Sequence, residues 1–270
     1  MIGNMDNKVT VPRITEAKSN REKIVAVTAY DWAMARLVDA AGVDIVLVGD
    51  SVATTSLGYE TTLPVTMDAM IHHAGAVSRG VERALVVADM PFLSYHLDDR
   101  EGVLNAGRFL KEAGCQAVKL EGGSARAALV EKMVSLGIPV MGHLGMTPQS
   151  VHVFGGHRQQ ARDEQAAHRL LEDAAALQEA GAFALVLELI PHSLAAEVTR
   201  TLHIPTIGIG AGPDCDGQIQ VLHDLIGLIP EQQFRHAHRY LNGGELIQQA
   251  VSQYAEEVRQ NRFMRKAVGS

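Results

Sequence analysis

The stretch AVKLEGGSARAALVEKMVSLGIPVMGHLG, residues 117–145, contains the repeating unit on which the fold prediction depends. It begins and ends with a short apolar run, and an amphipathic segment that closes at Gly137 lies between them. Short runs rich in Val, Ile and Leu are typical of buried parallel strands, and glycine is favoured just after the last turn of a helix. The stretch therefore predicts a strand, a helix and a second strand.

The same alternation recurs along the whole chain, with a less clear eighth run at 218–228. The other runs are IVAVTAY (24–30), IVLVGDS (45–51), ALVVADMPF (84–92), AVKLEGG (117–123), PVMGHLG (139–145), FALVLELIP (183–191) and TIGIGAG (206–212). A doubly wound sheet usually has five or six strands and often a glycine-rich turn after the first, whereas the first strand here ends in TAYD. Eight units in about 250 residues favour an α/β fold of the (β/α)8 barrel type.

Composition limits the domain organisation and the class of partner. We expect an N-terminal extension at 1–23, one barrel domain at 24–260 with a long loop at 146–165, and a tail at 261–270. The net charge of −7 argues against nucleic-acid binding, which needs a basic surface. The chain shows no signal peptide and no apolar run of the roughly 18–20 residues that cross a bilayer. We therefore expect a cytoplasmic protein with no membrane partner.

Polar residues stand at the carboxyl ends of five predicted strands, where barrel enzymes carry their active groups. Side chains alternate between the two faces of a strand, so Lys119 and Glu121 share one face. The candidate residues are Asp50 and Ser51 after the second strand, Asp89 on the third, Lys119 and Glu121 on the fourth, His143 on the fifth and Glu188 on the sixth.

Each of these residues alone has an ordinary structural explanation, such as a helix cap, a salt bridge or a hydrogen-bonded histidine. Four carboxylates at one barrel mouth would instead repel one another, and a divalent cation is the simplest neutraliser. Oxygen ligands without cysteine or a paired-histidine motif favour Mg²⁺. We expect Asp50 and Asp89 to bind the ion directly and Glu121 to bind it directly or through water. The ion would chelate a 2-oxo acid and stabilise its enolate, with Glu188 as the general base.

Beyond these residues, the sequence resembles the ketopantoate hydroxymethyltransferase family over about residues 20–260. The matching stretches are TAYD (28–31), LVGDS (47–51), TTLPVTMDAM (61–70), ADMPF (88–92), VKLEGG (118–123), GHLGMTPQS (142–150), FGG (154–156), LVLELIP (185–191), IGIGAG (207–212) and DGQ (216–218).

The resemblance implies a barrel of the phosphoenolpyruvate/pyruvate type that assembles as a homodecamer. It implies hydroxymethyl transfer from 5,10-methylenetetrahydrofolate to 3-methyl-2-oxobutanoate, which gives ketopantoate for pantothenate and coenzyme A synthesis, with one Mg²⁺ per subunit. The residue roles that it implies are Asp50 and Asp89 as metal ligands within the substrate site, Glu121 as support of the metal, Ser51, Lys119 and His143 as ligands of the 2-oxo acid, and Glu188 as the proton-transfer base.

The chain departs from the family pattern at four places. GDSVAT replaces the usual GDSLGM, with Ala53 and Thr54; Ala161 in HRQQAR replaces a glycine; Leu189 replaces a cysteine; and FMRKAVGS (263–270) replaces the usual tail. None of these changes falls on a predicted metal ligand or on the base. They concern the loops on the folate side and the end of the chain.

Three other functions are compatible with parts of the pattern. Lys119 could form a Schiff base as an aldolase nucleophile, although a neighbouring Glu121 and a metal would keep it protonated. A lyase or mutase of the same superfamily is the second alternative, but the KKCGH-like loop expected there is missing. The third is a binding protein that has kept the barrel and lost the chemistry.

Overall fold

Eight parallel strands close into a barrel in the order β1 to β8, each hydrogen-bonded to the next and β8 to β1. This computed structural model describes residues 8–231 and 237–263, and it confirms the predicted (β/α)8 fold. The strands are β1 (Ile24–Thr28), β2 (Ile45–Val48), β3 (Leu85–Asp89), β4 (Ala117–Glu121), β5 (Val140–Gly145), β6 (Ala184–Glu188), β7 (Thr206–Ile209) and β8 (Gly217–Gln220).

Helices follow most of the strands, and five of the described helices begin at a residue whose side chain caps the first turn. The Asp31 carboxylate accepts from the Met34 N–H at 2.9 Å, and the Thr66 hydroxyl accepts from the Ala69 N–H at 3.2 Å, as expected of N-caps. The helices are α1 (Val11–Ser19), α2 (Trp32–Ala40), α3 (Val52–Thr55), α4 (Met67–Gly80), α5 (Asp99–Lys111), α6 (Ala127–Ser135), α7 (Val151–Phe154), α8 (Glu164–Glu179), α9 (His192–Thr201), α10 (Leu222–Leu225) and α11 (Gly243–Arg259).

Two sequence expectations need correction. The eighth apolar run, 218–228, is a strand only as far as Gln220, and its second half contains α10. A short apolar run has the same hydrophobic pattern in a buried strand and in a buried helical turn, so periodicity could not separate them. The predicted loop 146–165 also contains a 3₁₀ turn at Pro148–Ser150 and then α7.

The described part of the N-terminal segment is built into the barrel. Val9, Ile14 and Ala17 belong to the same buried apolar cluster as the first residues of the strands. The Lys18 ammonium lies 2.8 Å from Asp216 Oδ2, just before β8. Helix α1 therefore covers the amino-terminal end of the barrel, opposite the end at which the predicted site lies.

The chain forms two compact units, Met1–Gln220 with all eight strands and Val221–Ser270 with α10 and α11. The predicted boundaries after residues 23 and 260 stay predictions, and most of the predicted tail, 264–270, lies outside the described residues. Among the described residues, no helix has the length and apolar character needed to span a membrane.

Strand alternation sorts apolar and polar groups along the barrel axis. Leu85 and Val87 on β3 point into the buried core cluster, as do Ala184 and Val186 on β6. Residues two positions further along each strand share that face, so the acids that end β3 and β6 face the interior at the carboxyl end. The apolar core thus fills the barrel below the polar mouth.

We predict that Gly145→Ala is far more harmful than Gly42→Ala. Both glycines have left-handed backbones, with φ of +95° and +88°, so alanine should cost each about 1 kcal/mol. A Cβ at Gly145 would also clash with the Glu188 carbonyl oxygen and lie 2.7 Å from Ile190 Cγ2, whereas nothing lies within 4 Å of a Cβ at Gly42. We expect a further loss of about 1–3 kcal/mol at Gly145, measured by urea unfolding. Equal losses in the two variants would contradict the close approach of β5 to the end of β6.

Candidate active site

The barrel register brings the predicted site residues together from four neighbouring strands. Parallel strands with this register place residues of the same depth side by side, so the polar groups form one continuous layer at the mouth. The paired positions are Asp89 with Lys119, Glu121 with His143, and Gly145 with Glu188.

Lys119 is the centre of this layer. Its Nζ lies 2.9 Å from Asp89 Oδ1, 3.1 Å from His143 Nδ1 and 3.9 Å from Glu121 Oε1. All four side chains are buried. Charged side chains are almost never fully buried unless paired, so the ion pair with Asp89 is what makes a lysine tolerable at this depth.

Asp50 and Ser51 enter the site from the segment after β2. Asp50 is buried beside Asp89, and its backbone N–H donates to Asp89 Oδ2 at 3.2 Å. The Ser51 hydroxyl lies 2.8 Å from the hydroxyl of Tyr30, which follows β1. The acid that follows β2 and the acid that ends β3 are therefore neighbours.

His143 connects Lys119 to Glu188. Its Nε2 lies 3.2 Å from Glu188 Oε2, a close polar contact rather than a well-aligned hydrogen bond. An ammonium only donates, so Nδ1 must accept from Lys119 and the ring proton must reside on Nε2. This assignment points the imidazole N–H at Glu188, the predicted base, which is the least buried of the charged groups in the layer.

Two buried residues that the sequence analysis missed complete the site. The Gln149 amide contacts Asp50, and the Tyr95 hydroxyl contacts both Gln149 and the backbone of Glu121. Both residues lie in loops after strands, where no periodicity indicates which side chains turn inward. The only available signal was that Gln149 belongs to the quoted motif GHLGMTPQS.

Burial changes the protonation of the whole cluster. Desolvation raises the pKa of Asp50 and of Asp89, and it raises the pKa of Glu121 to about 7. Desolvation also acts to lower the pKa of Lys119, but the nearby carboxylates outweigh it and raise that pKa above its ordinary value. Burial and the Lys119 charge lower the pKa of His143, so the imidazole is neutral at pH 7.

These shifts argue against the Schiff-base alternative. An amine attacks a carbonyl only as the free base. The raised pKa of Lys119 and its 2.9 Å contact with Asp89 keep it an ammonium. Its role in this site is that of a fixed positive charge and hydrogen-bond donor.

The residues present fit a hard cation held by few protein ligands. Glu121 Oε1 is buried without a hydrogen bond, and the three acids Asp50, Asp89 and Glu121 outnumber the single ammonium of Lys119. Within residues 8–231 and 237–263, no three His, Cys, Asp or Glu side chains form a ready-made metal cluster. Mg²⁺ commonly takes only one or two carboxylates and completes its shell with water and substrate oxygens.

Two of the departures from the family pattern have unusual backbones beside the site. Ala161, where the family has glycine, has φ of +53°, and Leu189, directly after Glu188, has φ of +45°. The Gln160 N–H donates to the Leu189 carbonyl oxygen at 2.9 Å, so this loop is fastened to the end of β6. Glycine adopts such a left-handed backbone more readily than alanine does.

We predict that Glu121→Gln flattens the pH dependence of stability in the metal-free protein. A carboxyl whose folded-state pKa is about 7 stabilises the fold fully below its ordinary pKa of 4.5 and loses that contribution as the pH rises through about 7. The loss is at most about 3 kcal/mol. Urea unfolding in the presence of a chelator, at about pH 4.5 and about pH 8, measures this change in the free energy of unfolding. The exposed Glu131→Gln is the control. An unchanged pH slope in Glu121→Gln would contradict the assignment.

Comparison with known proteins shows close relatives over most of the chain. A family model described as ketopantoate hydroxymethyltransferase matches residues 8–266. A 3-methyl-2-oxobutanoate hydroxymethyltransferase of Carboxydothermus hydrogenoformans is 51% identical over 257 residues, covering 95% of this chain and 93% of that protein. Its counterpart in Syntrophotalea carbinolica is 52% identical over 259 residues, covering 96% and 97%.

Solved structures share the fold at low sequence identity. Phosphonopyruvate hydrolase, in a complex with oxalate and Mg²⁺, matches with a TM-score of 0.62 and 13% identity, covering 92% of this chain and 98% of that one. 2,3-Dimethylmalate lyase, a member of the PEP mutase/isocitrate lyase superfamily, matches with a TM-score of 0.56 and 18% identity, covering 77% and 80%. These neighbours confirm the (β/α)8 barrel fold. The family match over nearly the whole chain shows that this protein belongs to the ketopantoate hydroxymethyltransferase family.

Proposed function

We propose that this protein transfers a hydroxymethyl group from 5,10-methylenetetrahydrofolate to 3-methyl-2-oxobutanoate, giving ketopantoate for pantothenate and coenzyme A synthesis. The observation that carries the proposal is the buried layer of Asp50, Asp89, Lys119, Glu121 and His143 in a chain of this family. Such a layer is costly to bury, and a bound substrate and ion would offset that cost.

One Mg²⁺ per subunit is part of the proposal, with Asp50 and Asp89 as its direct ligands and Glu121 as their support. When bound, the ion would supply Lewis acidity that makes the proton on C3 of the oxo acid easier to remove. The acids are desolvated and in excess over Lys119, which is the electrostatic setting that a divalent cation relieves.

The oxo acid would be held by donors that the fold has already oriented. Lys119 has three N–H groups, of which Asp89 and His143 take two, leaving one for a keto or carboxylate oxygen. The Ser51 hydroxyl stands at the rim of the same mouth, beside Tyr30. Because these groups are fixed before the substrate arrives, binding would orient C3 without further ordering of side chains.

Glu188 would take the proton from C3 of the oxo acid. It stands at the end of β6, across from Lys119, and its carboxylate is more accessible than the buried acids. The neutral His143 ring has its Nε2 3.2 Å from the same carboxylate, close enough for that N–H to interact with it. One chain of polar contacts thus crosses four strands, through Asp89, Lys119, His143 and Glu188.

The proposal also places the protein in the cytoplasm as a homodecamer. The decamer is what the family resemblance implies. Exposed apolar side chains on α11 support burial against other copies: Leu246, Ile247, Val251, Tyr254 and Val258. Sedimentation equilibrium gives the mass that decides it.

We predict Mg²⁺-dependent turnover of the two substrates. Purified protein with Mg²⁺, methylenetetrahydrofolate and 3-methyl-2-oxobutanoate should form ketopantoate, and excess chelator should abolish product formation until Mg²⁺ is restored. Mass spectrometry of the product is the measurement. Folded protein that binds the oxo acid but makes no ketopantoate would contradict the proposal and favour the binding-protein alternative.

We predict that Glu188→Gln stops deuterium exchange at C3 of 3-methyl-2-oxobutanoate in D₂O. An amide of the same shape cannot accept the proton, and loss of a general base typically lowers the rate by about 10²–10⁴-fold. Proton NMR of the oxo acid with Mg²⁺ and enzyme measures the exchange. The exposed Glu172→Gln should exchange at the parent rate, and exchange at that rate in Glu188→Gln would show that another group is the base.

A further inference from the structure

Gln149 lies deep in the site, although it comes from a loop. It sits in the 3₁₀ turn Pro148–Ser150 after β5, and only 5% of its surface is exposed. A buried amide must satisfy two donors and an acceptor within the protein, or its burial is strongly unfavourable. The hydrogen-bond partners of the Gln149 amide therefore show what holds this side chain in the site.

Both donor hydrogens and the acceptor oxygen of the Gln149 side-chain amide have hydrogen-bond partners. Nε2 donates to Asp50 Oδ2 at 3.0 Å and to the Met90 carbonyl oxygen at 2.9 Å, while Oε1 accepts from the Tyr95 hydroxyl at 2.8 Å. A backbone carbonyl can only accept, so Nε2 must face Met90 and the amide has one possible orientation. The N–H that reaches Asp50 is locked in place.

Tyr95 is held in turn by the strand that carries Glu121. The Glu121 backbone N–H donates to the Tyr95 hydroxyl oxygen at 3.1 Å, which leaves the hydroxyl proton for Gln149 Oε1. The Gln149 backbone N–H donates to Glu121 Oε2 at 3.0 Å. These bonds form a closed ring through Glu121, Tyr95 and Gln149, and the Gln149 amide extends it to Asp50.

We propose that the Gln149 side chain is a positioning residue that holds the Asp50 carboxylate in the orientation needed to bind Mg²⁺. This inference rests on the proposed function, since that assigns the ion to Asp50. Gln149 occupies one oxygen of Asp50 with a fixed donor, so the carboxylate cannot rotate freely. Hydrogen-bonding partners of metal-binding carboxylates typically contribute 10–100-fold to metal affinity.

The test measures Mg²⁺ binding directly, without turnover. Chelator-stripped full-length protein is titrated with Mg²⁺ alone by isothermal titration calorimetry. Gln149→Met keeps the length of the side chain and removes both donors, and we expect its Kd for Mg²⁺ to rise about 10–100-fold. Ser150→Ala is the matched control from the same turn, because Ser150 makes no side-chain capping bond with α7, and its Kd should equal the parent value.

A second variant keeps the test decisive if Gln149→Met does not fold. Tyr95→Phe removes the hydroxyl that fixes the Gln149 amide, and we expect a smaller rise in Kd, of about 3–10-fold, since the bond to Asp50 remains. Parent-like Mg²⁺ affinity in a folded Gln149→Met, or in Tyr95→Phe if that is the only folded variant, would overturn the positioning role and leave the proposed function standing. Failure of the parent protein itself to bind Mg²⁺ would contradict the metal assignment and overturn this inference with it.

Discussion

The buried ion pair between Lys119 and Asp89 is the interaction on which the site depends. Removing a charge from water costs several kcal/mol, and the two opposite charges at 2.9 Å offset that cost only for each other. Asp50 and Glu121 remain as desolvated acids with raised pKa values. The site therefore holds an excess of buried acid that a bound cation would relieve, and this is the physical basis of the proposed Mg²⁺ site.

Strand alternation explains why several residues of the candidate site could be predicted from the sequence. A polar residue two positions beyond an inward apolar residue must also point inward, so Lys119, Glu121 and Glu188 followed from the positions of the strands. Closure of the barrel then brings neighbouring strand ends within contact distance whatever the loops do. Strand alternation and barrel closure together account for the strand residues that were predicted to lie at the mouth of the barrel.

The loops and the hydrogen-bond partners could not be predicted in the same way. The Gln149 amide reaches Asp50 across 99 positions of sequence, and Tyr95 reaches Gln149 across 54. Such pairings depend on the path of each loop, and a loop sequence has no repeating pattern from which that path could be predicted. Helix α1 was likewise missed, because its few buried residues, Ile14 and Ala17, leave it polar in composition.

The direction of the hydrogen bonds decides between chemistries that the residue types alone allow. A lysine beside a histidine at a barrel mouth is compatible with nucleophilic catalysis, but an ammonium donating to Nδ1 forces the ring proton onto Nε2. That proton then faces Glu188 and leaves the carboxylate as the group that can accept. Because Asp89 helps to hold Lys119 protonated, the same ion pair that makes burial possible leaves Glu188, and not Lys119, as the proton acceptor in the proposed mechanism.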